Sequence, residues 1–259
     1  MIKKIELFRD QVGSGSLILV NREHGLGKDA EQGLVPVYGR EDMLLQRQAA
    51  ILLEQLMSRI GGWSEIVPVS AWRSMREQQQ IWDDTMKKSG QKFTETFVAA
   101  PGHSEHQTGL AIDLGKKMEQ IDFICPEFPD EGVCGKFREL AAEYGYIERY
   151  PKNKEETTGI GCEPWHFRYV GAPHARIMKE KGMVLEEYVE FIHEFDRNHP
   201  YVWSSGQHQV CISYHPWESG SMLLVEENQP WDLSGDNAGG IILTEWRQFG
   251  GQKRAVWGA

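Results

Sequence analysis

Two histidines, an aspartate and a glutamate fall in two short segments whose spacing suits metal chemistry. Ser104-Glu-His106-Gln-Thr-Gly109-Leu-Ala111-Ile-Asp113 carries the first histidine and the aspartate, and Glu163-Pro-Trp165-His166 carries the others. A catalytic zinc takes three protein ligands from imidazole and carboxylate and leaves a fourth position open for water. His106, Asp113 and His166 supply such a set. Glu163, three residues before His166, can stand beside that open position. There it would serve as general base towards the water and then as acid towards a leaving amine. Residues three apart share one side of a helical turn or tight loop, so a turn is the expected setting for Glu163 and His166, with Pro164 fixing the backbone between them.

These side chains need a frame. Asp113 lies seven positions after His106, an odd spacing that places them on opposite faces of a regular strand. The chain must therefore bend between them, and Gly109 is the residue that permits it. Leu110–Leu114 reads as a strand, with Ala111 and Asp113 on one face and small Ala111 leaving room beneath the metal. Around it the pattern predicts a strand over Ser16–Val20 and an amphipathic helix from about Glu41 to Ile60. A strand over Ile66–Ala71 and a helix from the Ser74/Glu77 capping box to about Lys88 come next. Residues 115–135 form a long irregular connection of the kind that shapes a site or its lid. A helix through Phe137–Tyr144, a short segment at Ile147–Tyr150, an extended segment at Phe167–Val170, and helices over Pro173–Lys181 and Leu185–Phe195 complete this part.

The pattern S-x-H-x-x-G-x-A-x-D followed by E-x-W-H resembles the zinc D-alanyl-D-alanine peptidases of the VanY, VanX and VanXY type, within the group of lysostaphin-like and hedgehog-like zinc folds. Ser70-Ala-Trp-Arg73-Ser74 with Gln78 resembles that family's S-x-x-R-S-x-x-x-Q segment, and Trp165–Gly171 matches its W-H-F-R-Y-V-G. The likeness runs over roughly residues 16–190, with every motif in the family's order. It implies Zn2+ on His106, Asp113 and His166, with Glu163 as catalytic base. It also implies Arg73 as the group that steadies the oxyanion or anchors substrate, and Ser104 and Gln78 as substrate contacts. A fixed guanidinium in a dry site is well suited to the negative charge that acyl transfer builds. The implied fold is α+β, an antiparallel sheet with flanking helices carrying a single zinc site. The implied substrates are the D-Ala-D-Ala dipeptide and/or the UDP-MurNAc-pentapeptide precursor, whose hydrolysis would remove the target of vancomycin. Two alternatives stay open: a zinc peptidase of the same fold cutting another cell-wall peptide bond, and a non-catalytic zinc-organised binding module.

Composition sets the remaining bounds. The 259 residues carry 28 Lys+Arg against 38 Asp+Glu, a net charge of −10, with no basic cluster. That excludes a nucleic-acid backbone binder and an anionic-membrane anchor. The longest aliphatic run, Leu17–Val20, is far too short to span a bilayer, and Glu6, Arg9 and Asp10 break any secretory h-region. A cytoplasmic protein is expected. Cys125, Cys134, Cys162 and Cys211 show no C-x-x-C pair and read as free thiols, a Cys125–Cys134 bridge being the pairing left open. Residues 198–259 change texture to short alternating bursts, which predicts a zinc peptidase domain over 1–197 and a small β-rich extension over 198–259. Five of the nine tryptophans (Trp203, Trp217, Trp231, Trp246, Trp257) fall in that extension, where they read as core rather than as sugar platforms.

Overall fold

The computed structural model describes residues 1–29, 32–206 and 208–248. They divide into two compact units: Leu19–Tyr188, and Met1–Ile18 together with the described residues from Val189 onward. The first part of the chain forms β1 (Ile2–Glu6), α1 (Arg9–Val12), β2 (Leu34–Val37), β3 (Arg40–Gln46), α2 (Arg47–Ile60), β4 (Ile66–Ser70), α3 (Met75–Ser89) and α4 (Gln91–Phe97). The middle forms β5 (Ala111–Lys116), α5 (Gly132–Leu140), β6 (Tyr146–Tyr150), α6 (Glu155–Thr158), β7 (Glu163–Tyr169), α7 (Ala172–Lys181) and α8 (Leu185–His193). The last part is β8 (Tyr201–Ser205), β9 (His208–Pro216), β10 (Met222–Glu226), β11 (Trp231–Gly235) and β12 (Gly240–Gln248). The fold is α+β with antiparallel sheets, as the motifs imply.

The larger unit is organised by a four-stranded sheet in the order β4-β5-β7-β6, antiparallel throughout. Ile112 and Leu114 of β5 and Phe167 of β7 enter the core. Helix α2 meets that core through Ala49, Leu53, Leu56 and Met57, whose spacing makes one stripe on the helix. Phe128, Phe137 and Phe167 pack edge to face beside them. Each such side chain contributes roughly 1.5–3 kcal/mol by leaving water. Asp113 is buried too, although its face of β5 is the one opposite Ile112 and Leu114.

Several boundaries differ from expectation, for local reasons. Helix α2 begins at Arg47 because residues 40–46 pair with β2 as β3, Leu45 lying opposite Val35. The buried Leu45 of a strand happens to fall in phase with the apolar stripe that follows it. Residues 16–20 form no strand, although Leu17–Val20 are all buried. The Leu17 amide donates to the Ser234 hydroxyl rather than to a ladder carbonyl. Helix α5 starts at Gly132 and ends at Leu140, with a tighter turn over Ala141–Tyr144, and α8 stops at His193. The Ser74 capping box and α3 stand as expected.

In the smaller unit, β9, β12, β11 and β8 make an antiparallel sheet in the order β11-β12-β9-β8. Strand β10 pairs with β1, so the first residues of the chain complete the β-rich part. The unit therefore takes in residues 1–18 as well as 189 onward, which differs from the expected division at 197/198. Leu7, Leu223, Val225, Ile241 and Leu243 form its core, with Trp217 and Trp231 packed against them. Trp203 is buried and Trp246 half-buried. Trp257 lies outside the described residues.

Candidate active site

Three devices of the larger unit bring the expected residues together. The first is a single turn over Glu105–Thr108 that ends at Gly109, whose φ of +70° lies in the left-handed region glycine tolerates. This turn carries His106 into the site and hands the chain to β5, which resolves the odd spacing to Asp113. The second is register: Asp113 stands directly opposite His166 across the β5–β7 pair. The third is a bulge in β7. Glu148 pairs with Phe167 and Tyr150 with Glu163, so two steps along β6 span four along β7. The expected helical turn or tight loop at Glu163–His166 is thus a bulged strand. The bulge does what the turn was expected to do, bringing a residue at i and one at i+3 to one side.

The resulting cluster is tight and dry. His106 Nε2 lies 3.1 Å from Asp113 Oδ2, and His166 Nδ1 lies 2.9 Å from Asp113 Oδ1. Glu163 Oε2 is 3.6 Å from His166 Nδ1, and Arg73 Nη2 is 3.5 Å from Asp113 Oδ2. One ligand atom from each of His106, Asp113 and His166 falls within 4.8 Å of the others. His106 Nδ1 donates to the Ala71 carbonyl at 2.6 Å, so its Nε2 carries the lone pair. That Nε2 and Asp113 Oδ1 are both buried without a hydrogen-bond partner. Buried polar atoms of this kind ask for an explanation, and a cation between two imidazoles and a carboxylate supplies one. The residues present fit a divalent metal.

Electrostatics separate the roles. Burial, helped by Arg73, lowers His106 to about 4, keeping it neutral and able to ligate. Burial alone would raise Asp113, but the two histidines hold it well below the usual carboxylate range. Burial also opposes the charged form of His166, yet the Asp113 and Glu105 carboxylates beside it outweigh it and the ring rises to about 9. Burial raises Glu163 to about 8, against the pull of His166 and Arg73. Asp113 and Glu163 are thus two carboxyls of opposite habit in one site, one permanently ionised and one poised to exchange a proton near neutrality.

A cleft of about 470 Å³ opens onto this cluster. Ser104 and Gln78, the expected substrate contacts, both line it, with Phe97, Tyr150, Ile160 and Trp165. Gln78 Nε2 is spent on the Ala99 carbonyl, while its buried Oε1 has no partner. Trp165 also belongs to the core cluster, in keeping with a packing role. His103 points its Nδ1 at the Asn21 carbonyl and belongs to the scaffold. The four cysteines are free, so Cys125 and Cys134 are not paired; burial and nearby carboxylates raise the half-buried Cys162 thiol, away from a thiolate.

Sequence reasoning passed over Glu105, although it lies inside the quoted motif. Its side chain is fully buried and faces Arg149, Arg168 and His166. Arg168 had a signal, since it alternates with His166 along β7 and turns to the same side. Arg149 and Tyr150 had none beyond their place in β6. Tyr150 lays its ring 4.9 Å from that of His166.

The family model described as VanY, D-alanyl-D-alanine carboxypeptidase, matches residues 43–172. The chain is 41% identical over 180 residues to the bifunctional D-Ala-D-Ala dipeptidase and D-Ala-D-Ala carboxypeptidase VanXYC of Enterococcus gallinarum, covering 68% of this chain and 95% of that protein. Its structure resembles the vancomycin resistance D,D-dipeptidase VanXYg solved with a D-Ala-D-Ala phosphinate analogue, with TM-score 0.93, 43% identity and coverage of 95% of this chain and 100% of that one. A VanY D,D-pentapeptidase variant solved with Zn(II) matches with TM-score 0.57 and 32% identity over 67% of this chain and 98% of that one.

Proposed function

The chain belongs to the VanY family of D-alanyl-D-alanine carboxypeptidases, and from that premise we propose that it hydrolyses the D-Ala-D-Ala peptide bond in the free dipeptide, the pentapeptide precursor, or both. The observation that carries this reading is the juxtaposition of a His106–Asp113–His166 donor set with a protonatable Glu163 in one cleft. The metal proposed for the donor set is Zn2+, which when bound would polarise the scissile carbonyl and lower the pKa of a water molecule.

The residues of the chain divide the rest of the work. Glu163 takes a proton from the attacking water and returns it to the amine of the departing D-alanine, a round trip suited to a carboxyl raised to about 8. Arg73, half-buried and anchored at Asp113, faces the negative charge that develops on the carbonyl oxygen. Gln78 Oε1 and the Ser104 side chain offer polar contacts on the cleft wall. The hydrophobic walls at Phe97 and Ile160 exclude bulk water from the proton transfer.

No helix among the described residues is long and apolar enough to cross a membrane. Cytoplasmic action is part of the proposal, because the free dipeptide and a nucleotide-linked precursor are met before export; cell fractionation tests it, and recovery mainly with the membrane would overturn it. The function itself is tested by stripping the protein with a chelator and restoring it with Zn(II). Hydrolysis of D-Ala-D-Ala or of the pentapeptide should vanish and return, and activity that survives complete metal removal would refute the reading.

A further inference from the structure

Behind His166, on the side away from Asp113, lies a buried charge network that the proposed chemistry does not use. Glu105 Oε1 receives Arg149 Nε at 2.7 Å and lies 2.8 Å from Arg168 Nη1. Arg149 then forks onto Glu186, Nη1 at 2.8 Å and Nη2 at 2.6 Å from its two oxygens. Both guanidiniums and the Glu105 carboxylate are fully buried, two cations balanced by two anions. Glu105 Oε2 is left over. It faces His166 Nε2 at 3.5 Å, and both atoms are buried without a hydrogen-bond partner.

We infer that Glu105 is the positioning residue of the metal site: clamped by Arg149 and Arg168, its carboxylate accepts the Nε2–H of His166 and so turns Nδ1 of that ring towards Asp113. A ligating imidazole is oriented by what its other nitrogen donates to, and the two rings here differ in that respect. His106 gives its Nδ1–H to the Ala71 carbonyl and presents Nε2; His166 turns its Nε2 to Glu105 at 3.5 Å and presents Nδ1 to Asp113. One short turn, Glu105–Thr108, therefore supplies both a ligand and the acceptor that aims the other ligand. The network behind Glu105 keeps that acceptor ionised and immobile. Replacing a buried ionic cluster by apolar residues is often neutral for stability, so stability alone does not explain its presence. Arg149 also lies over the ring of Tyr150, which in turn packs against His166, so the same clamp supports the face of the imidazole as well as its edge.

The inference rests on the proposed metal site, and the test separates the two. Zn(II) affinity is measured by competition with a chromophoric chelator, in the full chain and in Glu105→Gln. The amide cannot present acceptors to both arginines and to His166, and the affinity should fall about 10- to 100-fold. A folded Glu105→Gln that binds Zn(II) as tightly as the wild type would overturn the inference alone. Wild-type protein that fails to bind Zn(II) would overturn the metal reading and this inference with it. Should the variant not fold, the wild type decides: with isotope-labelled histidine and a spin-active cadmium in the site, one ring should couple through Nε2 and the other through Nδ1. Two rings coupled through Nε2 would overturn the inference.

Discussion

Glu163 and His166 stand three residues apart on one bulged strand, with the Glu163 carboxylate 3.6 Å from the Nδ1 of His166. The proposed base is thereby held beside a proposed ligand without being part of the proposed donor set. Glu163→Ala should therefore keep its metal while turnover falls at least ~10²-fold, the usual contribution of general acid–base catalysis. Metal content and D-alanine release measured on the same preparation check this. Loss of metal together with activity would mean that Glu163 acts as a ligand instead.

Arg73 is half-buried with its guanidinium turned to Asp113, so its charge is placed before substrate arrives. Arg73→Ala should lower kcat about 10²–10³-fold, the loss typical of a removed oxyanion donor. Arg73→Lys should restore little, since a point charge does not reproduce the planar fork. A change confined to KM, with kcat intact, would recast Arg73 as a substrate anchor.

The metal-free protein should lose stability as pH rises from 7 to 9. Folding raises His166 from its ordinary 6.5 to about 9, so its contribution is complete below the first value and gone above the second. Folding raises Glu163 from 4.5 to about 8, so the penalty for ionising it begins above 4.5 and is complete above about 8. In both cases the folded chain binds more protons than the unfolded one, and stability falls with pH. A metal takes the place of the His166 proton, so saturating Zn(II) should flatten or reverse the slope, and apparent affinity should rise with pH. Melting temperatures across this range, with and without Zn(II), check the sign; a flat profile for the metal-free protein would contradict it.

Gly109 ends the turn that carries His106. An alanine there must hold a left-handed backbone at about 1–2 kcal/mol, and its Cβ would meet Leu34 Cδ2 at 2.5 Å. Gly109→Ala should lower the melting temperature and weaken Zn(II) binding together, because the turn sets where Nε2 of His106 points. A thermal loss with unchanged affinity would show that the turn is not what aims the ring.

Residue types and spacing were enough to single out His106, Asp113, His166, Glu163 and Arg73, which the fold gathers around one cleft, because a metal site would restrict chemistry and separation at once. The capping box at Ser74 and the stripe on α2 were legible for similar reasons, each being a local pattern with one physical cause. What escaped depended on contacts remote in sequence. Leu17–Val20 looks like a strand, but the amide of Leu17 is taken by Ser234, more than two hundred residues away. The bulge in β7 is set by its pairing with β6 and leaves no mark in Glu163–His166 beyond Pro164. Glu105 was in plain view, yet its role needs Arg149 and Glu186, which nothing in the 104–113 segment announces. Strand β1, likewise, joins the β-rich unit only through β10.

The central claim is hydrolysis of a D-Ala-D-Ala bond by the zinc-loaded protein. Free D-alanine should be measured after offering D-Ala-D-Ala and UDP-MurNAc-pentapeptide in parallel, with Glu163→Ala as control. Release from at least one substrate, lost in the variant, is the predicted result, and the pattern of release separates dipeptidase, carboxypeptidase and bifunctional enzyme. No release from either substrate by protein with Zn(II) bound would contradict the account and direct attention to other wall peptides or to a binding role.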